Sequence, residues 1–192
     1  YNLKLIEDAA ESLGSFFHGK HTGTFGDMGI LSFNGNKTIT TGGGGAILVN
    51  KKSVALKLRH LSVHAKKSGT DSDYTEIGYN YRMNEIQAIL AQEQLKLLPK
   101  MLKRRREIAN IYNNELKDIP NLHCQKIVKN VNSAYYSFIM KLTKGNLNKF
   151  RKTLKENGIE TSPMFTTIYK TKIYQKLSIF SNNCPISEIL DD

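Results

Sequence analysis

The chain has 192 residues, 40% of them hydrophobic, with nine Tyr, eight Phe and only four Pro. That much apolar surface offsets the entropy of ordering, so a disordered chain is excluded and one domain, or one plus a smaller second unit, fits. Lys and Arg outnumber Asp and Glu by 28 to 17, a net charge of +11, which leaves nucleic acid, an anionic surface or phosphorylated substrates open as partners.

In chain order, Leu3-Lys4-Leu5-Ile6-Glu7-Asp8 reads as a buried strand ending in two acids. No cap or turn precedes it, so the chain is expected to start in mid-domain. Met28-Gly29-Ile30-Leu31-Ser32-Phe33 and Gly45-Ala46-Ile47-Leu48-Val49 are short apolar runs bounded by turn residues, two further strands. The loop between them, residues 34–44, is too polar and glycine-rich for a core and is the first place to look for chemistry. Val54, Ala55, Leu58 and Leu61 keep helical spacing. So do Ile86, Ile89 and Leu90 and, after Pro99, Met101, Ile108, Tyr112 and Leu116, giving two or three helices.

The polar stretch 65–79, with Lys66-Lys67-Ser68-Gly69, reads as a long loop. Lys103-Arg104-Arg105-Arg106 reads as a solvated helix face, since no aromatic is interleaved for base stacking. Asp118-Ile119-Pro120-Asn121 breaks the pattern, so a unit of residues 1–119 is expected to give way to a smaller one, 120–192. In the second, Tyr136, Phe138, Met140 and Leu142 alternate as a half-buried strand, and Leu147, Phe150 and Leu154 form a helical stripe that Asn157-Gly158 should end. Cys124 and Cys184 lack the spacing of a zinc site, and reduced thiols in the cytoplasm are the simplest reading. No apolar run approaches the roughly eighteen residues of a membrane span, and no signal peptide is visible.

Three stretches combine into a chemical requirement: Glu7-Asp8-Ala9-Ala10, Ser32-Phe33-Asn34-Gly35-Asn36-Lys37 and Thr41-Gly42-Gly43-Gly44-Gly45. Catalysis with pyridoxal phosphate (PLP) needs an amine for the imine, a carboxylate that keeps the pyridine nitrogen protonated, and donors for the phosphate. Lys37 can supply the amine, Asp8 the carboxylate and Ser32 a phosphate donor. Taken singly, Lys37 is an ordinary surface lysine, Asp8 a cap for the residues that follow, Ser32 a strand-end hydroxyl and Asn80 a turn residue. A phosphate loop is excluded because no Gly-Lys-Ser/Thr follows the glycines.

These stretches, together with Gly23-Thr24-Phe25-Gly26-Asp27 and Gly78-Tyr79-Asn80-Tyr81-Arg82-Met83-Asn84, resemble the DegT/DnrJ/EryC1/StrS group of sugar aminotransferases. The resemblance spans nearly the whole chain and is densest between residues 6 and 98. It implies an α/β fold: part of the three-layer α/β/α large domain of the PLP-dependent aminotransferases plus a small α+β carboxy-terminal domain, truncated at both ends relative to longer family members. It also implies that Lys37 carries PLP, that Asp8 faces the pyridine nitrogen, and that Ser32 binds the phosphate. Asn80 would reach the phosphate of a neighbouring subunit, making a homodimer with shared sites.

Glu11 stands where many members place His or Gln against the cofactor ring. Ser162-Pro163-Met164-Phe165 and Thr166-Thr167-Ile168-Tyr169 replace the common Arg-Pro and Pro-Leu-His patterns, so the identity of the sugar is left open. The implied reaction is amino transfer, with glutamate as donor, to a nucleotide-diphosphate keto sugar in surface-glycan or deoxyamino-sugar biosynthesis. Lys20, Arg82 or the Lys66-Lys67 loop could hold the diphosphate. A non-catalytic PLP-fold protein or inactive fragment, and less readily a basic nucleic-acid-binding module, are the competing readings.

Overall fold

In the computed structural model, the structure describes residues 1–67, 69, 73–163, 165, 167–177 and 184–191. Its strands are β1 (Ile6–Asp8), β2 (Phe16–Phe17), β3 (Lys20–His21), β4 (Met28–Ser32), β5 (Gly45–Val49), β6 (Leu122–Cys124), β7 (Val131–Asn132) and β8 (Met140–Leu142). The helices are α1 (Lys52–Ser62), α2 (Glu85–Leu116), α3 (Leu147–Glu156), α4 (Lys172–Gln175) and α5 (Pro185–Asp191), with a 3-10 turn at Ile168–Lys170.

The central sheet has the order β1-β4-β5. β1 runs parallel to β4, with Ile6 opposite Met28 and Asp8 opposite Ile30; β4 and β5 are antiparallel, with Ile30 opposite Ile47 and Leu31 opposite Ala46. Paired residues share a face, so the register divides the sheet into two unlike surfaces. On one face Leu31 joins Ala9, Phe33 and Ile39 in the core, packed against Leu13, Ala46, Leu48, Met83, Leu98 and Met101. On the other, Ile6, Ile30 and Ile47 remain 57, 42 and 51% exposed. The first strand is therefore not buried as its apolar run suggests. Within the described chain the sheet carries helical cover on one face, and the opposite face is open.

Helix α2 is one continuous element with Pro99 inside it, so α1 and α2 make up two of the two or three helices expected here. The missing proline N–H forfeits one backbone bond, while Ala91, Leu102 and Ala109 are buried on either side of it and Leu98 and Met101 join the sheet core. The helix starts in a capping box: Asn84 Oδ1 accepts the Gln87 N–H at 2.9 Å and Gln87 Oε1 accepts the Asn84 N–H at 3.4 Å.

The chain divides into two compact units, Tyr1–Thr143 and Lys144–Asp192. The sequence-based boundary at residue 120 lies inside the first, where β7 pairs with β2 across it. The expected strand from Tyr136 shortens to Met140–Leu142, since Tyr135 takes a left-handed φ of 47°. In the second unit, Asn146 caps α3 by accepting the Lys149 N–H at 2.9 Å. That helix ends at Asn157-Gly158 as expected, with Gly158 at φ 77° and the Ile159 N–H returning to Leu154 O at 2.9 Å. Of the substrate-side departures, Met164 and Thr166 lie outside the described residues. No described helix is long and apolar enough to cross a membrane.

Candidate active site

The two acids that end β1 point to opposite faces of the sheet, and they do different work. Glu7 lies on the core side and accepts three backbone N–H groups from the following loop: Gly23 at 2.7 Å on Oε2, and Phe25 at 2.5 Å and Gly26 at 2.6 Å on Oε1. Desolvation pushes its pKa up, but the amides of Gly26, Gly23 and Phe25, with Lys20 nearby, outweigh that and hold it below the ordinary 4.5. Asp27 closes the same loop by accepting the Leu5 N–H at 3.0 Å and pairing with Lys4 at 3.4 Å. The Gly-Thr-Phe-Gly-Asp motif is thus a clamp on β1. Its glycines are required by space: a Cβ on Gly29 would run into the Gly23 carbonyl, and Gly23 itself sits at φ 88°. Sequence reasoning gave Glu7 no role of its own; the available signal was its alternation with Asp8.

With Glu7 fixed inward, Asp8 is turned to the open face. Its Oδ1 accepts the Ala10 N–H at 3.1 Å, so it caps a turn as the local reading allows, although no helix follows. Ser32, on the same face at the end of β4, accepts the Asn34 N–H at 3.4 Å. Asp8 Oδ2 and the Ser32 hydroxyl proton have no partner among the described residues.

The loop 34–44 is more ordered than its glycines suggest. The Phe33 N–H bonds to Gly44 O and the Thr41 N–H to Phe33 O, both at 3.0 Å, and the Lys37 N–H bonds to Asn34 O at 3.0 Å. Thr38, Ile39 and Thr41 are buried, and Gln94 of α2 accepts the Thr40 N–H at 3.3 Å. A hydrogen-bonded loop with a buried center presents Lys37 at a defined place. The Lys37 side chain is only 13% exposed, and its Nζ lies 3.1 Å from Glu11 Oε1, which is 53% exposed. The same Nζ sits 5.0 Å from the ring centroid of Tyr136, a residue expected only to fill a strand.

Tyr136 is placed by the basic run that sequence reading assigned to solvent. Arg105 Nη1 donates to the carbonyls of Tyr135 at 3.1 Å and Tyr136 at 3.0 Å. Arg106 donates to Ser133 O at 2.9 Å and Gly14 O at 2.8 Å. Only the outer members behave as a surface: Lys103 is exposed and Arg104 pairs with Glu107 at 3.4 Å. Half of the run is thus committed to backbone carbonyls.

Lys37 and Glu11 are therefore brought together, and Asp8 and Ser32 share the open face of adjacent strands. Asn80 stands apart. Its backbone bridges Val63, flanked by Tyr79, whose ring stacks on Tyr81 at 5.0 Å, and its exposed side chain has no hydrogen-bond partner among the described residues. Lys20 lies over the Phe25 ring, and Lys67 pairs with Asp73. His21 Nε2 accepts the Gly14 N–H at 2.9 Å. A cavity of about 500 Å³ lined by Arg151, Lys152 and Ser162, and one of about 340 Å³ beside Gly23 and Ile47, contain none of the predicted site residues.

A mixed sheet with a lysine-bearing loop after its central strand, a strand-end aspartate beside it and a long helix beneath is the framework of a PLP-dependent aminotransferase. The chain belongs to the DegT/DnrJ/EryC1/StrS aminotransferase family, which matches residues 1–191. It is 36% identical to the GDP-perosamine synthase of Escherichia coli O157:H7, over 91% of this chain and 48% of that protein. It is 31% identical to the dTDP-4-dehydro-2,3,6-trideoxy-D-glucose 4-aminotransferase of Saccharopolyspora spinosa, over 99% of this chain and 55% of that protein. A DegT DnrJ EryC1 StrS aminotransferase from Brucella abortus superposes with a TM-score of 0.88 at 30% identity, covering 98% of this chain and 50% of its own. The chain spans about half the length of these relatives. The family is PLP-dependent, and the donor set here suits that group: an amine held in a fixed loop, and a carboxylate oxygen and a hydroxyl proton that have no partner among the described residues.

Proposed function

We propose that the protein carrying this chain transfers an amino group, with glutamate as donor, to a keto carbon of a nucleotide-diphosphate-linked sugar in the cytoplasm, using PLP attached at Lys37. The observation that carries this reading is the presentation of Lys37. Its side chain is only 13% exposed and is carried on a hydrogen-bonded loop, after the strand whose neighbour supplies Asp8.

Bound PLP would supply an electron sink for the carbon that loses or gains the amino group. The chain supplies the remainder. Lys37 provides the attaching amine and, when free, Nζ takes and returns the proton at the substrate carbon. Asp8 holds a proton at the pyridine nitrogen, and it can do so because Glu7 has taken the structural role on the other face. Ser32 would donate its hydroxyl to the phosphate, and Glu11, paired with Lys37 at 3.1 Å, would contribute to the cofactor site. Asn80, exposed beside Tyr79 and Tyr81, serves the phosphate site of a second copy in a homodimer. The net positive charge favours the sugar's diphosphate. Relatives named for GDP- and dTDP-linked sugars support the substrate class.

The test is borohydride reduction of the native protein followed by peptide mapping. The phosphopyridoxyl group should fall on Lys37, and Lys37→Ala should abolish both the label and amino transfer. A label on another lysine overturns the reading.

A further inference from the structure

We propose that Glu11 and the face of Tyr136 form a seat for the Lys37 amine whenever it is free of the cofactor, and that Arg105 is the positioning residue that sets this seat. Its meaning in the reaction rests on Lys37 being the cofactor-bearing lysine. Three independent contacts converge on one nitrogen or on the backbone behind it. Lys37 Nζ meets Glu11 Oε1 at 3.1 Å and lies 5.0 Å from the Tyr136 centroid. Arg105 Nη1 joins the consecutive carbonyls of Tyr135 and Tyr136, where Tyr135 at φ 47° makes the backbone turn that breaks the strand.

A released lysine has four side-chain torsions and would otherwise scatter into water. A carboxylate gives the ammonium one hydrogen-bond acceptor, and a ring face adds attraction without a lone pair. The seat therefore holds the charge while leaving other N–H groups uncommitted. A cage of several acceptors would tie the nitrogen down, and bare solvent would let it wander. Carboxylate plus ring gives a hold that the side chain can leave. The left-handed residue and its guanidinium staple explain why Tyr136 departs from the strand alternation followed by Met140 and Leu142: its ring is assigned to Lys37 instead of the sheet.

The experiment uses the native protein freed of PLP and acetylated with an N-hydroxysuccinimide ester, with Lys37 modification read by mass spectrometry against the exposed Lys117. Tyr136→Phe keeps the ring face and should label at the wild-type rate. Tyr136→Leu fills similar space without the face and should label Lys37 about two- to fivefold faster, the range expected of one partly exposed cation–π contact. Glu11→Gln should also accelerate labelling. Arg105→Met leaves both contacting side chains in place and should speed labelling through loss of the backbone staple, which keeps the test decisive if Tyr136→Leu does not fold.

Wild-type labelling in Tyr136→Leu, or equally fast labelling in Tyr136→Phe, overturns the seat. Wild-type labelling in Arg105→Met overturns the role given to Arg105. The readout needs no cofactor, so its failure is separable from trapping of PLP on another lysine.

Discussion

Glu7→Gln is the most informative single change, because it alters the clamp on β1 without touching a group that faces the open site. The glutamine carbonyl can replace Oε1 and keep the amides of Phe25 and Gly26, but its NH2 must then face the Gly23 N–H, donor against donor. A buried amide left unpaired costs about 1–3 kcal/mol, and two bonds that lose a charged acceptor weaken by about 1 kcal/mol each. Glu7 is half-buried, so solvent screening reduces the expected loss to about 2–3 kcal/mol.

The acid side follows from linkage. The native carboxyl titrates below its ordinary 4.5, so its contribution is fully present above 4.5 and is lost as pH falls through the lower folded value. Urea denaturation of native protein and variant should therefore show a gap near neutrality that narrows in acid below 4.5. Equal midpoints near neutrality, or a gap that persists unchanged in acid, would refute the assignment of Glu7 as a charged clamp.

Three further outcomes are expected. Asp8→Asn preserves the acceptor for Ala10 and should leave folding and PLP binding intact while amino transfer falls by at least about a hundredfold, as read by comparing kcat with the PLP absorbance. Gly29→Ala drives a methyl into the Gly23 carbonyl, where backbone cannot yield cheaply. It should cost about 3 kcal/mol or more in urea denaturation. If Asn80 acts across the dimer, mixing inactive Lys37→Ala and Asn80→Ala proteins should restore about a quarter of the wild-type sites in an activity assay; no recovery after verified subunit exchange would place Asn80 elsewhere.

The sheet strands, the helix stripe after Asn146 and the lysine loop were legible because short apolar runs and glycine punctuation are local signals. The partnership of Arg105 and Arg106 with carbonyls at residues 14, 133, 135 and 136 was not, since a charge run carries no mark of a tertiary acceptor up to 92 residues away. For the same reason Tyr136 passed as a strand residue: its alternation with Phe138 and Met140 is genuine in sequence, and only the turn at Tyr135 removes it from the sheet. Of the two or three helices expected after β5, two form, because burial of α2 on both sides of Pro99 outweighs one lost backbone bond. The two-residue strands β2, β3 and β7 are shorter than any periodicity can register.

The alternation at the end of β1 also acts as a phase mark for the strand. Sliding β1 by one residue along β4 would exchange the two carboxylates between faces. Aspartate, one methylene shorter, would have to span the three amides that glutamate reaches, and the glutamate would be left among Ile30 and Ile47. Each mispairing would strip the glycine loop of its fitted acceptor, so the error would be penalised on both surfaces at once. Single-residue insertions or deletions between Leu5 and Asp8 should consequently be far less tolerated than substitutions there, even at exposed positions.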